Sequence, residues 1–104
     1  IELKKKELNG KINIYYWKNP QHEEVDFVIK EGLKIKQLIQ VCYDINNRKT
    51  KEREVRSLIK ASKELKCKNL LVITEGYEDE EEVSWFGMKK AIRYTPLWKW
   101  LLNV

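Results

Sequence analysis

The stretch that decides the fold is LIQVCYDINNRKTKEREVRSLIKASKELKCKNLLVIT, residues 38–74. Both ends of this stretch are apolar on two faces, as in interior strands that are covered from both sides. Between them, apolar residues recur at helical spacing from Thr50 to Lys66, and the threonine suits a helix start. The strands are placed at Leu33–Tyr43 and Asn69–Thr74. This order predicts a right-handed βαβ unit with a parallel pair of strands.

A helix and two strands are predicted before this unit. The helix over Lys4–Leu8 is followed by Asn9-Gly10, a pair that favours a helix end. Alternating aromatic and β-branched residues predict a strand over Lys11–Trp17. The next strand is predicted over Glu24–Lys30. Its alternation assigns Val25, Phe27 and Ile29 to one face and Glu24, Asp26 and Val28 to the other.

The chain after the βαβ unit begins with a strongly acidic segment. Residues 75–82 contain six acids and no base, which predicts an acidic loop. A short edge strand is predicted over Met88–Tyr94, and Pro96 suits the first position of a last helix. The predicted fold class is therefore α/β, with a mixed central sheet of four to five strands flanked by helices. The order is helix, three-strand meander, helix, parallel strand, edge strand and C-terminal helix.

Length and composition exclude several classes of protein. A chain of 104 residues has room for one domain, and its longest apolar run is far below the roughly 20 residues that span a bilayer. Isolated glycines exclude a phosphate-binding loop for ATP in this segment, and the single histidine, His22, excludes a His-rich zinc site. Two cysteines without metal spacing suggest buried thiols and a cytoplasmic location. The start at Ile1, with Met88 the only methionine, suggests part of a longer protein.

The net charge of +5 is concentrated on the predicted long helix. Residues 48–68 carry nine lysines and arginines against three acids, whereas the acidic segment would repel a phosphate backbone. Any nucleic acid would therefore meet one side of the domain. A solvated face held by ion pairs within the helix explains the same residues equally well. The candidate nucleic-acid contacts are Lys49, Lys51, Arg53, Arg56 and Lys60.

The residue pattern resembles the restriction-endonuclease-like, PD-(D/E)xK nuclease superfamily. In particular, the chain resembles the nuclease-like domain of unknown function at the C-terminus of archaeal and bacterial AAA-type ATPases. The resemblance implies an ATPase module, with its ATP, upstream in the same chain. Stretches carrying it include residues 15–19, 24–28, 38–44, 51–54, 69–74 and 96–102.

The superfamily motif has an aspartate on the second strand, then an acid and a lysine on the third. Asp26 matches the aspartate, but Gln40 and Cys42 stand where the acid and lysine belong. Lys36 is two positions too far from Gln40 for the motif. The resemblance implies that Asp26 and Gln40 are a degenerate catalytic pair and, at most, a weak Mg²⁺ site, because hard cations prefer carboxylates.

Three functions remain open from the sequence. The first is a degenerate nuclease-fold module that binds DNA or RNA for its ATPase. The second is a protein-interaction or oligomerisation module, with Trp98 and Trp100 contacting the rest of the protein rather than stacking on bases. The third is an active metal-dependent nuclease, against which the replacements at Gln40 and Cys42 argue.

Overall fold

The computed structural model describes residues 12–85 and 87–102, so the helix predicted over Lys4–Leu8 lies outside the described residues. The described part is a mixed α/β fold. In chain order its elements are β1 (Ile12–Lys18), β2 (Glu24–Glu31), β3 (Lys34–Val41), α1 (Arg48–Leu65), β4 (Leu70–Thr74), β5 (Asp79–Trp85), β6 (Met88–Pro96) and α2 (Leu97–Leu102).

The strands form one six-stranded sheet in the order β1-β2-β3-β4-β6-β5. The antiparallel β1-β2-β3 meander and the parallel β3-β4 pair, joined through α1, confirm the predicted βαβ unit. β6 also runs parallel to β4.

Helix α1 begins at Arg48, two residues before the predicted start. The cause is that Asn47 is the N-cap residue of the helix. Its side-chain oxygen accepts a hydrogen bond from the Thr50 amide at 3.0 Å. The helix ends where Lys66 adopts a left-handed conformation with φ 55°. Its buried stripe includes Val55, Leu58 and Ile59, which pack on one face of the sheet.

The core consists of two clusters, one on each face of the sheet. The cluster under α1 contains Leu38, Val72 and Tyr94 together with the helix stripe. The cluster on the opposite face is smaller, and Leu97 and Trp100 of α2 pack against it. The buried members of this second cluster are Ile29, Ile39, Leu71 and Ile73.

Both cysteines are free and buried, as the sequence predicts.

A β-bulge changes the predicted faces of β2. Trp17 pairs with Val25 and Tyr15 pairs with Val28, so β2 has one residue more than β1 between these pairs. As a result Val25 and Val28 both lie on the α1 side, and Ile29 lies on the other. The prediction that placed Val25 with Ile29 is wrong, because strict alternation does not continue across a bulge.

The second half of the acidic segment is a strand and not a loop. β5 begins at Asp79 and pairs antiparallel with β6. The described sheet therefore has six strands, whereas four to five were predicted. The strand predicted at the edge over Met88–Tyr94 is β6, which runs on to Pro96 and lies inside the sheet. α2 accordingly begins after the proline. Charged side chains are a common way to protect an exposed sheet edge, and β5 is such an edge.

Among the described residues, no helix is both long enough and apolar enough to cross a lipid bilayer.

Candidate functional site

Asp26 and Gln40 lie side by side where the β2-β3 ladder is interrupted. Regular pairing runs as far as Phe27 and Ile39. Beyond it, the Asp26 amide donates to the Gln40 side-chain oxygen at 2.9 Å, and the Val41 amide donates to the Asp26 carboxylate at 2.8 Å. The two side chains therefore supply hydrogen bonds between β2 and β3 at the end of the regular ladder.

The Gln40 side chain is fully buried and bonded to the backbone at both ends of its amide. Its nitrogen donates to the carbonyl of Glu24 at 2.7 Å and to the carbonyl of Glu54 at 3.4 Å. Its relative exposure is 0%. An amide can make these bonds because it is both donor and acceptor, whereas a carboxylate only accepts. Gln40 thus joins β2, β3 and α1 at the motif position.

Carboxylates surround this junction. A cleft of about 210 Å³ between β2 and α1 is lined by Glu24, Asp26 and Glu54, among others. Burial, and then the negative charge of Asp26, raise the pKa of the Glu54 carboxyl above its usual value. Among residues 12–85 and 87–102, no group of three or more acid, histidine or cysteine side chains is arranged to hold a metal ion.

Cys42, at the motif's lysine position, is a buried neutral thiol. Burial, and then the nearby Glu54 and Asp44 carboxylates, raise the pKa of Cys42. A neutral thiol cannot stabilise the negative charge that a lysine would. Lys36 forms the extra residue of a second bulge, on β3, and its ammonium lies 4.0 Å from the Glu31 carboxylate.

Three of the five candidate nucleic-acid contacts on α1 form ion pairs with acids outside the helix. Glu23 contacts Lys60 at 2.7 Å and Arg56 at 3.2 Å. Lys51 contacts Glu81 at 3.3 Å and lies over the Tyr94 ring at 5.2 Å. These pairs join α1 to the β1-β2 turn and to β5, so the three cations contribute contacts within the fold.

The Glu23 carboxylate, which the sequence does not single out, contacts Asn19, Arg56 and Lys60. Its side chain is about 10% exposed and accepts from Asn19 at 2.9 Å as well as from Lys60. Burial by itself raises the pKa of Glu23, but the bonds from Asn19 and Lys60 and the charge of Arg56 outweigh it, and the pKa falls below its usual value. Glu23 is far from the helix in the sequence and meets it only in the fold. The residues around Glu23 therefore do not indicate this contact. Glu54 precedes Leu58 of the buried stripe by one helical turn, and this spacing is the signal that indicates its place near the sheet.

Arg53 and Lys49 remain accessible on α1. The Arg53 side chain is 62% exposed, and its ion pair is with the adjacent Glu54 at 3.6 Å. It also lines the cleft that contains Asp26. Lys49 is exposed in the first turn. The structure thus brings Arg53 and Asp26 to one cleft, and directs Lys51, Arg56 and Lys60 to acidic partners.

Helix α2 carries apolar side chains on two sides. Leu97 and Trp100 pack against the second cluster, as described above. Trp98, Leu101 and Leu102 follow the i, i+3, i+4 spacing of one helical stripe, and all three are exposed. Trp98 is 60% exposed and Leu102 is 77% exposed. We call these three residues the outer stripe of α2.

The chain is a small mixed α/β domain in which the side chains of Asp26 and Gln40 bond the backbone. Residues 1–97 match the family described as domain of unknown function DUF4143, and the chain belongs to that family. A relative is the uncharacterized protein MJ1544 of Methanocaldococcus jannaschii, which is 38% identical over 105 residues. The match covers 99% of this chain and 23% of that relative, so the chain spans about a quarter of its length.

Proposed function

We propose that this domain is a non-catalytic contact module of a longer protein, and that its outer stripe of α2 docks on another part of that protein. On the resemblance stated above, that part is an AAA-type ATPase module, and the sheet is a degenerate core of the restriction-endonuclease type. The β1-β2-β3-α1-β4 order is consistent with such a core. The match to only a quarter of a relative's length is consistent with a longer chain.

The observation that carries the proposal is the outer stripe itself. A soluble helix usually turns one apolar stripe inward and polar residues outward. In α2, Leu97 and Trp100 contact the second cluster, and the neighbouring side that carries the outer stripe is also apolar. Tryptophan is enriched among residues that dominate binding energy in protein interfaces. A protein surface is therefore a suitable partner for the outer stripe of α2.

The geometry at Gln40 supports the non-catalytic part of the proposal. Nuclease activity of this type needs a second strand carboxylate for the metal and a cation for the developing charge. Gln40 instead has both ends of its amide bonded to backbone groups, and Cys42 is a neutral thiol.

The docking proposal predicts a loss of affinity when the outer stripe is truncated. We expect Trp98→Ala and Leu102→Ala each to weaken binding of this domain to the separately produced upstream part by about tenfold or more, as for interface anchor residues. Isothermal titration calorimetry measures the change.

Leu33→Ala is the matched control, because Leu33 is 98% exposed at the β2-β3 turn and far from the stripe in sequence. Its affinity should equal that of the unchanged domain. Equal affinity of all variants would contradict docking through α2, and so would an absence of binding by the unchanged domain.

Nucleic-acid binding is the second candidate, and the exposed Arg53 beside the Asp26 cleft favours it. A guanidinium that solvent reaches can contact a phosphate. Lys49 would add a second such contact in the first turn of α1.

This candidate predicts salt-dependent affinity for a DNA or RNA duplex. Binding measured by fluorescence anisotropy should weaken steeply between about 50 and 200 mM salt. Arg53→Ala should weaken it severalfold, whereas Lys68→Ala, which removes the same charge beyond the end of α1, should change it little. No cleavage is expected in Mg²⁺. Affinity that is independent of salt, or equal losses in the two variants, would contradict this role for Arg53.

A further inference from the structure

Seven lysines lie together at one end of the sheet, where β3, β4 and β6 begin. These strands are parallel neighbours, with Leu38 beside Leu70 and Leu70 beside Ile92. The residues that precede these positions therefore share one end of the sheet. Helix α1 ends there too, because only four residues connect it to β4. We call these lysines the basic end of the domain: Lys34, Lys36, Lys63, Lys66, Lys68, Lys89 and Lys90.

The basic end has almost no acid to balance its charge. Residues 33–37, 63–69 and 87–91 contain the seven lysines and one acid, Glu64. The Glu64 carboxylate already accepts a hydrogen bond from an indole of β1 at 2.5 Å. Within the described part of the chain, Lys36 has an ion pair at 4.0 Å and the other six lysines have none. All but one of the seven side chains are exposed, so their charges are accessible to a partner.

The acids of β5 lie toward the other end of the sheet. β5 runs antiparallel to β6, so its four consecutive acids precede the part that pairs with the start of β6. In that part, Ser84 pairs with Lys89 and Val83 pairs with Lys90, and both β5 residues are uncharged. The loop before β5 starts at the far end of β4. Positive and negative charges are thus separated along the direction of the strands.

We propose that the basic end binds the phosphate backbone of a nucleic-acid duplex. A duplex carries one negative charge per about 1.7 Å of its axis, and lysines that contact its phosphates release bound counterions. β3 and β6 are two strand spacings apart, which is about 10 Å. A surface of this width meets about six charges of a duplex. The basic end therefore has both the size and the charge for this contact.

The composition of the basic end favours a nucleic acid over a protein partner. Interfaces between proteins are enriched in aromatic residues, methionine and arginine, and lysine is depleted in them. Here every cation is a lysine, and Leu33 is the one large apolar side chain exposed beside them in the described structure. A lysine ammonium is a point charge that contacts phosphate without reading the bases. Two duplexes of unrelated sequence should therefore bind equally well.

The basic end is separate from the cleft beside Arg53. Lys63 follows Arg53 by ten residues on α1, which is about 15 Å along the helix axis. The inference rests neither on the contact considered for Arg53 nor on docking through the outer stripe of α2. It also reverses the expectation for Lys68, whose removal should leave binding at Arg53 almost unchanged. The two sites are therefore distinguished by the same assay.

The test is the affinity of the unchanged chain for a labelled duplex of about 20 base pairs, measured by fluorescence anisotropy between about 50 and 200 mM salt. Lys68→Gln and Lys89→Gln should each weaken binding about fivefold or more. Each should also lower the slope of log affinity against log salt by about one. Lys49→Gln removes the same charge from an exposed lysine at the other end of α1 and should change neither quantity. Circular dichroism checks that all variants are folded.

Four outcomes would overturn the proposal. They are an absence of duplex binding at 50 mM salt, an affinity that is independent of salt, equal losses in all three variants, and a loss in Lys49→Gln alone. The last would assign the duplex to the cleft beside Arg53. Competition by polyglutamate as strong as that by unlabelled duplex would assign the basic end to an acidic protein instead. Docking through α2 is tested separately, by titration with the upstream part.

Discussion

Gln40→Glu is expected to lower the free energy of unfolding by about 3 kcal/mol, although it introduces the acid that the nuclease resemblance implies at this position. The new carboxylate keeps the acceptor for the Asp26 amide but loses the donor to the Glu24 and Glu54 carbonyls. Two buried carbonyls would then face a negative charge. The Glu54 carboxyl, whose pKa is already raised by burial and by Asp26, would be in the same cleft. Urea denaturation measures the loss.

Gln37→Glu is the matched control for this substitution. Gln37 lies on the same strand, and its amide nitrogen bonds the exposed Asn69 side chain at 3.3 Å. The same chemical change there should alter stability by no more than about 0.5 kcal/mol, as for other surface substitutions. Our interpretation of Gln40 as a structural residue would be wrong if Gln40→Glu were as stable as the unchanged domain and cleaved DNA in Mg²⁺.

Leu58→Ala is expected to lower the free energy of unfolding by about 3 kcal/mol. Leu58 has a relative exposure of 0% and packs between α1 and the sheet, so its truncation leaves a cavity in the larger core cluster. Leu102→Ala makes the same chemical change on the outer stripe of α2 and should alter stability by no more than about 0.5 kcal/mol.

The two leucine variants separate folding from docking. Thermal or urea denaturation should detect the first variant, and titration with the upstream part should detect the second. A large stability loss from Leu102→Ala would mean that the outer stripe packs within the domain. The proposed contact surface would then be rejected, whatever the binding data show.

The sequence predicted the centre of the fold better than its edges. The long helix and the strands on both sides of it have strong periodicity, so the βαβ unit and its parallel pair could be inferred. The acidic β5 strand could not, because Asp and Glu are depleted in strands and its pairing with β6 depends on a neighbour that only the fold supplies. The bulge at Asp26 and Phe27 was missed for a similar reason, since alternation assumes a regular ladder.

The sequence predicted which residues form the candidate site, but not the hydrogen bonds that their side chains make. The sequence identified Asp26 and Gln40 together, and they do lie together. It could not show that the Gln40 amide is used by backbone groups, because this depends on the Glu24 and Glu54 carbonyls. The ion pairs of Arg56 and Lys60 with Glu23 join distant parts of the chain. Charge counting along one helix therefore could not show which of its cations have acidic partners elsewhere in the chain.

The acidic β5 strand has a consequence for how this sheet can grow. A sheet edge that accepts a strand from another copy can start a fibre. β5 carries four consecutive acids, so the same strand of a second copy would place like charges side by side at this edge. The acids that make this segment a poor strand former in the sequence therefore also keep the sheet from extending through β5.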